Sequence, residues 1–419
     1  MIRRLVLVAV AITAVACSTN ESSSTPDSTP QFSTTVPQPE EDGVLRFGLL
    51  IPQSGDGATL GEPLVAIANA AVRIINEAGG VLGRPVELVI ADEGADATTA
   101  VGSVDALVSD EGIDALIGPL SSNVAFDVLP RLIESGVAVC SPGATAVSLA
   151  SFPDDELFVR TIAPDGLASQ ALAQLVAQTG VTNTAIAFPD DPFGRDLSDE
   201  IARAMSLQGI TIDNSIPFNP SDANYSDQVA ELTSSQPTVV TLVGDEESGG
   251  RFLRALLEAQ PGVTVVVNDA LAGVDLTDRP DLVNGGTRSV IGVAVNARAG
   301  RDDMLAYLAP DVIEAPPLAA ALVDCLNLLA LAADFSQSDV GAEFMPQVIA
   351  ASRGGSACRT FVECATIIET GLNIDYNGPT GVLSLDANGD PSVATFITFG
   401  FDPDGRTSYR GDLGVFSAP

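Results

Sequence analysis

From Val44 onward, short aliphatic runs alternate with stretches in which apolar residues recur at helical spacing. Residues 44–51, 86–91, 115–117, 137–140 and 158–161 predict strands, with helices over 62–77, 97–109 and 124–135 between them. The rhythm resumes with predicted helices over 167–178, 194–206, 225–233 and 249–259, and strands over 184–188, 211–216, 239–243 and 263–267. Strands that are apolar throughout belong to parallel sheets covered on both faces. About ten such units exceed one open sheet, which predicts an α/β fold of two doubly wound lobes. The tail departs from the rhythm. A long apolar helix is predicted over 317–335 with further helical residues to 370, followed by strands over 382–385 and 394–401 flanking the turn Asp386, Ala387, Asn388, Gly389 and Asp390.

The N-terminus has a different pattern. Arg3 and Arg4 precede an apolar run from Leu5 to Ala16, which is the layout of a secretion signal over residues 1–16. Ala14, Val15, Ala16 and Cys17 read as a lipobox, so Cys17 is the expected lipidation site and new N-terminus. Residues 17–43 are rich in Ser, Thr and Pro and cannot bury enough surface to offset their ordering entropy, so they are read as a disordered spacer. Fully extended, such a spacer reaches about 85 Å. The body is thereby expected outside the cytoplasm, at the cell surface or in the periplasm, on a membrane lipid anchor.

Charge and composition narrow the chemistry. The chain has 55 acidic and 19 basic residues, a formal charge of -36, and no His or Trp. So acidic a body repels nucleic acid, which is excluded as a partner. Without His, and with no Lys in the sequence, Ser-His-Asp, Cys-His and Ser-Lys catalysis and the usual zinc sites have no residues to build them. Aromatic residues make up only 5%, which leaves little for a sugar-cleaving carboxylate pair. The expectation is a binding protein, with no catalytic residue, metal or cofactor.

Beyond Cys17 stand Cys140, Cys325, Cys358 and Cys364. Cys358 and Cys364 are paired by proximity, but a continuous helix would hold them about 9 Å apart, so a bridge there demands a loop or helix break. Cys140 and Cys325 fit a bridge or two buried thiols equally well.

Three loops follow strand ends, where open α/β sheets bind ligands. They are residues 51–61, the run Gly118 to Asn123, and the run Ser141 to Thr145. In the last two, hydroxyls and backbone N–H groups converge at helix N-termini, which suits a carboxylate and equally suits plain helix capping.

Several motifs then occur in order. They are Asn76-Glu77-Ala78-Gly79-Gly80-Val81-Leu82-Gly83-Arg84 with Asp92, Gly118 with Ser121-Ser122, Ser141-Pro142-Gly143-Ala144-Thr145, Asp191-Pro192-Phe193-Gly194, and Tyr376-Asn377-Gly378-Pro379-Thr380-Gly381. From about Leu45 to Phe416 the chain resembles the type I periplasmic binding proteins, in their branched-chain amino-acid-binding branch. The resemblance implies two lobes, 44–161 plus 296–374 and 162–295 plus 375–419. Three crossovers join them, near 160–163, 293–297 and 373–376. It implies the substrate-binding subunit of an ABC importer, a monomer that hands an amino acid or similar small polar solute to permease and ATPase subunits. A ligand-sensing module of the same fold is the alternative. By the same resemblance Ser122 and Thr145 hold the ligand carboxylate, with Ser121 adjoining. The Ala144 carbonyl and Asp269 take the ammonium, Phe193 and Leu60 line the rest, and Asp245 either faces the cleft or belongs to a charged surface loop. Phe193 stands where relatives carry Tyr, and Asp245 near a family aromatic, which leaves the ligand side chain open.

Overall fold

The computed structural model describes residues 38–418, apart from positions 40, 56, 95, 285–289, 297, 309–311 and 313–314. The expected signal segment, Cys17 and the spacer as far as position 37 lie outside the described residues.

One lobe is built on five parallel strands, β1 (Arg46–Ile51), β2 (Glu87–Asp92), β3 (Ala115–Ile117), β4 (Ala138–Ser141) and β5 (Phe158–Arg160), in the order β2-β1-β3-β4-β5. Side-chain alternation along these apolar strands loads both faces, as the all-apolar pattern requires. Phe47, Leu49 and Ile51 point to one side, against Ile67 and Leu329 of the helices Ala58–Glu77 and Ala319–Ser336. Leu50 points to the other, with Val104, Val128 and Leu132. Both long helices are apolar enough to cross a membrane by length and composition, and Ala319–Ser336 is buried on nearly every side within this lobe. A small parallel pair, β11 (Ser356–Cys358) with β12 (Ile374–Tyr376), completes it.

The second lobe carries β6 (Asn183–Pro189), β7 (Thr211–Phe218), β8 (Val239–Leu242), β9 (Thr264–Val267) and β10 (Val290–Val295), extended by β13 (Val393–Phe401) and β14 (Thr407–Ser417). The order is β14-β13-β10-β9-β8-β6-β7, with β13 and β14 antiparallel. Here too the faces alternate: Val265 and Val267 lie with Phe252 and Leu256, Val266 with Leu172 and Ile201.

The chain end corrects two expectations. Residues 382–385 are not a strand; Leu385 makes only an isolated bridge to Pro391, while the hairpin is β13 with β14, turning through Asp402 to Arg406. Residues 375–391, assigned above to the second lobe, belong to the first. β12 pairs with β11, and Leu383 and Leu385 enter the first lobe's core. The last passage between lobes therefore falls near Ser392, not at 373–376. The physical reason is the Tyr376 motif. The Tyr376 hydroxyl donates to buried Asp324 (2.8 Å), and the Thr380 N–H donates to the same carboxylate (3.0 Å), which ties this segment to the helix Ala319–Ser336.

Both cysteine pairs are bridged. Cys140 of β4 joins Cys325 of the long helix, with Cα atoms 5.6 Å apart, which closes the alternative of two free thiols. Cys358 joins Cys364 at 5.3 Å, and the break that this pairing demands is present: Cys358 ends β11 and Cys364 lies in the helix Phe361–Glu369.

Candidate functional site

The loops leaving the C-terminal ends of the first lobe's strands are fastened to one another. At the end of β2, burial works on Asp92 upward, but the Ser54 hydroxyl and the N–H groups of Gln53, Gly94 and Ser54 outweigh it and hold the carboxyl below its ordinary range. Next to it Glu93, almost fully buried, accepts from the N–H groups of Leu120 (2.9 Å) and Ser121 (2.8 Å) at the start of the helix Ser122–Glu134. Burial pushes Glu93 up to about 7 against those two bonds.

The loop after β4 is built around three side chains. The Ser141 hydroxyl donates to the Pro119 carbonyl (2.7 Å) and accepts from the Ala144 N–H (2.8 Å). The Ser122 hydroxyl accepts from the N–H groups of Thr145 (3.0 Å) and Ala146 (3.1 Å). Fully buried Arg160 donates to the carbonyls of Ala144 (3.2 Å) and Ala146 (2.8 Å), and forks onto Asp390 at 2.6 and 2.7 Å. Gly143 is required here, because a Cβ would lie 2.7 Å from the Leu120 carbonyl oxygen.

The lobes meet at these loops. The Asn123 carboxamide accepts from the Phe193 N–H (3.2 Å), Ser148 donates from its N–H (2.9 Å) and hydroxyl (3.0 Å) to Asp196, and the Asp165 N–H donates to the Thr145 carbonyl (2.8 Å). Behind that seam lies a cavity of about 10 Å³, whose polar wall is Thr145, Asp165, Asn268 and Asp269 and whose apolar floor includes Leu172 and Phe396. Asp165 opens the helix Asp165–Gln178 and is nearly buried; burial, reinforced by the charge of Asp269, pushes it up to about 7. Asp269 is exposed and lines the mouth of the same cavity.

The expected site residues divide accordingly. Thr145 and Asp269 share the cavity wall, and Ser122 lies directly behind Thr145. With two bonds accepted, the Ser122 hydroxyl keeps its hydrogen to donate. The N–H groups of Ser122 and Asn123, first in their helix, have no partner within it. Phe193 sits at the seam, its ring partly buried against the second lobe's core. Four others are placed differently. The Ala144 carbonyl, expected to receive an ammonium, already accepts from Arg160. Ser121 caps its helix by accepting from the Val124 N–H (3.4 Å), and exposed Asp245 turns onto the N–H and hydroxyl of Ser248. Leu60 packs partly buried against the first lobe's core.

Sequence reasoning missed Glu93, Asp165, Arg160 and Asn268. Each had a signal: an acid directly after a strand, an acid opening a helix after Pro164, a lone cation inside an apolar strand, and a carboxamide beside Asp269.

Buried acids set a pH response. Besides Glu93 and Asp165, burial pushes Asp324 up to about 7 and Asp114 up to about 8. The unfolded chain ionises its carboxyls near about 4. Folding therefore takes up protons between these limits, and stability falls as pH rises from about 4 to about 8. Self-repulsion of so acidic a chain acts in the same direction. Thermal melts across that range should show a falling midpoint; a flat or rising profile would mean the acids ionise in place without cost.

Comparison with known proteins agrees with this architecture. A family model described as periplasmic binding protein matches residues 44–293. The Leu/Ile/Val-binding protein homolog 3 of Brucella melitensis is 29% identical over 255 residues, covering 61% of this chain and 67% of its own. The chemotactic signal transduction system substrate-binding protein BasB of Halobacterium salinarum is 25% identical over 361 residues, covering 84% and 85%. Among solved structures, a solute-binding protein of an ABC transporter from Rhodopseudomonas palustris, in complex with p-hydroxybenzoic acid, superposes with a TM-score of 0.72 at 18% identity, covering 90% and 97%.

Proposed function

Because this chain belongs to the periplasmic binding protein family, we propose that it is the extracytoplasmic substrate-binding subunit of an ABC importer. It captures an amino acid, branched-chain or related, between its two lobes, and it is not an enzyme. The observation that carries this reading is the loop pair of Ser122 and Thr145 facing Asp269 across one seam, donors on one side and a carboxylate on the other. Cys17 is proposed as its lipid anchor and residues 17–43 as its spacer, with permease and ATPase subunits as partners and a monomer as the working state.

The energetics favour capture by closure. Micromolar binding of a small solute needs about -8 kcal/mol, close to 1 kcal/mol per heavy atom, so nearly all of the ligand must be enclosed. A cavity of about 10 Å³ holds roughly one water, so the lobes must part to admit an amino acid. Three polar contacts mark the seam: Asn123 with Phe193, Ser148 with Asp196, and Thr145 with Asp165. Each hydrogen bond there contributes about 1 kcal/mol, which leaves opening within thermal reach.

The test is isothermal titration against the common L-amino acids and aromatic acids; failure of every small solute to bind would sink the proposal. Within it, replacing both Ser122 and Thr145 by Ala should weaken a carboxylate ligand by about tenfold or more, at about 1–1.5 kcal/mol per lost hydrogen bond. Thr145→Ala alone is the cleaner probe, since the backbone bonds to Ser122 survive it. Unchanged affinity would show that the carboxylate lies elsewhere. Sensing is the second reading, favoured by the similarity to BasB, whose description is a chemotactic one. Adjacent permease and ATPase genes would decide for transport.

A further inference from the structure

We propose that Asp196 and Ser148 form a latch that sets how long the closed lobes hold a solute, with neither residue touching that solute. The inference rests on the proposed capture between two lobes and adds to it the residues that govern release.

The Asp196 carboxylate accepts from the Ser148 N–H (2.9 Å) and hydroxyl (3.0 Å), both through Oδ2, across the seam between the lobes. Its own helix leaves it free to do so. Asp191 caps that helix by accepting from the Gly194 N–H (2.7 Å), and Arg195 turns onto Asp190. Neither latch residue lines the cavity, but their neighbours do: Thr145 stands three residues before Ser148, and Leu197 directly follows Asp196. The Ser148 side is held firmly. Leu149 is buried in the first lobe's core, the Ala146 carbonyl accepts from Arg160 (2.8 Å), and the Ala146 N–H donates to Ser122 (3.1 Å). One short segment therefore carries both the Thr145 hydroxyl and the latch donors. The movement that closes the lobes on a solute also seats the latch.

Among the seam's three polar contacts, this one has the most to lose on opening. The Asp165 N–H reaches the Thr145 carbonyl (2.8 Å), but it lies beside a crossover: β5 ends at Arg160 in the first lobe, and Ala163 already packs in the second. Rotation about the crossovers moves such a contact little. The Phe193 N–H and the Asn123 carboxamide (3.2 Å) are both neutral groups. The latch instead sets a carboxylate against two donors, and charge-assisted bonds are about twice as strong as neutral ones. Ser148 is exposed and Asp196 half-buried, so water takes over both ends once the lobes part, and the contact can re-form. An enclosed solute leaves through the open state, so weakening the latch speeds the release of every solute by one common factor.

The test is calorimetric titration and stopped-flow release on the full chain with L-leucine, the other common L-amino acids and benzoate, beside small-angle X-ray scattering of the free protein. Asp196→Ala should weaken each solute that binds by about five- to tenfold, equally for all and through faster dissociation, and should raise the radius of gyration of the free protein. Asp196→Asn keeps an acceptor for Ser148 and should lose only about twofold. Ser148→Ala removes the hydroxyl but not the N–H and should lose about threefold; it carries the test if Asp196→Ala does not fold, as melting curves will show. Dissociation that does not change, or changes by different factors for different solutes, overturns the latch and leaves solute capture standing. Asparagine as damaging as alanine overturns it too, since the effect then comes from the charge that Asp196 presents to Asp165. If no probe binds, the proposed function falls and scattering alone decides the latch: a radius of gyration unchanged by Asp196→Ala overturns it.

Discussion

Arg160→Met should cost the protein about 3–5 kcal/mol of stability, the penalty for leaving a buried charge without its partner. The guanidinium is fully buried and meets Asp390, itself 5% exposed, through two bonds of 2.6 and 2.7 Å. Its remaining donors hold the carbonyls of Ala144 and Ala146, so the substitution leaves one carboxylate and two carbonyl oxygens without their donors. Urea titration followed by circular dichroism would measure the loss. The double variant Arg160→Met with Asp390→Leu should recover part of it, because replacing both members of a buried pair removes the unpaired charge. A loss below about 1 kcal/mol in the single variant would mean that water reaches the site and solvates Asp390. Ligand affinity should fall as well, since the 144–146 loop loses the clamp that sets Thr145 against Ser122.

Removing the Cys140–Cys325 bridge should cost about 5 kcal/mol, against about 2 kcal/mol for Cys358–Cys364. The difference follows from the length of chain each one closes. The first spans 185 residues, which include most of the second lobe, and the second spans 6. Restricting the larger loop removes more entropy from the unfolded chain, and that gain disappears on reduction. Paired alanine variants, Cys140→Ala with Cys325→Ala and Cys358→Ala with Cys364→Ala, compared by denaturant titration under oxidising conditions, would rank them. Equal losses would show that local packing, not loop closure, governs both. The first pair also fixes β4 to the long helix beside the 141–146 loop, since Ser141 directly follows Cys140.

The motifs that carry the family resemblance are for the most part fold hardware. Asn76 clamps Val86 through both a donated (3.0 Å) and an accepted (2.6 Å) bond, joining its helix to the start of β2. Asp191 caps the helix Pro192–Leu207 by accepting from the Gly194 N–H (2.7 Å), and Tyr376 with Thr380 holds Asp324. Such residues are legible in a sequence because each answers a local backbone need: a capped helix start, a tight turn, a satisfied buried donor. Their spacing along the chain is set by secondary structure.

The pattern of apolar runs by itself determined the two α/β lobes, nearly every strand through β9, and the loops where ligand chemistry gathers, because burial on both faces of a parallel strand leaves an unbroken hydrophobic signature. Ser122, Thr145 and Asp269 come only from the family resemblance, not from the pattern itself. The tertiary structure alone decided the rest. Whether Cys140 reaches Cys325 depends on a contact across 185 residues that no local pattern encodes. Residues 375–391 stay with the first lobe because Asp324, distant in sequence, accepts from Tyr376 and Thr380. Asp165, Glu93 and Arg160 read as ordinary polar residues until burial and their partners are known. A charge acquires chemical meaning from the surroundings that desolvate or pair it, and those surroundings are assembled from segments the chain brings together only when it folds.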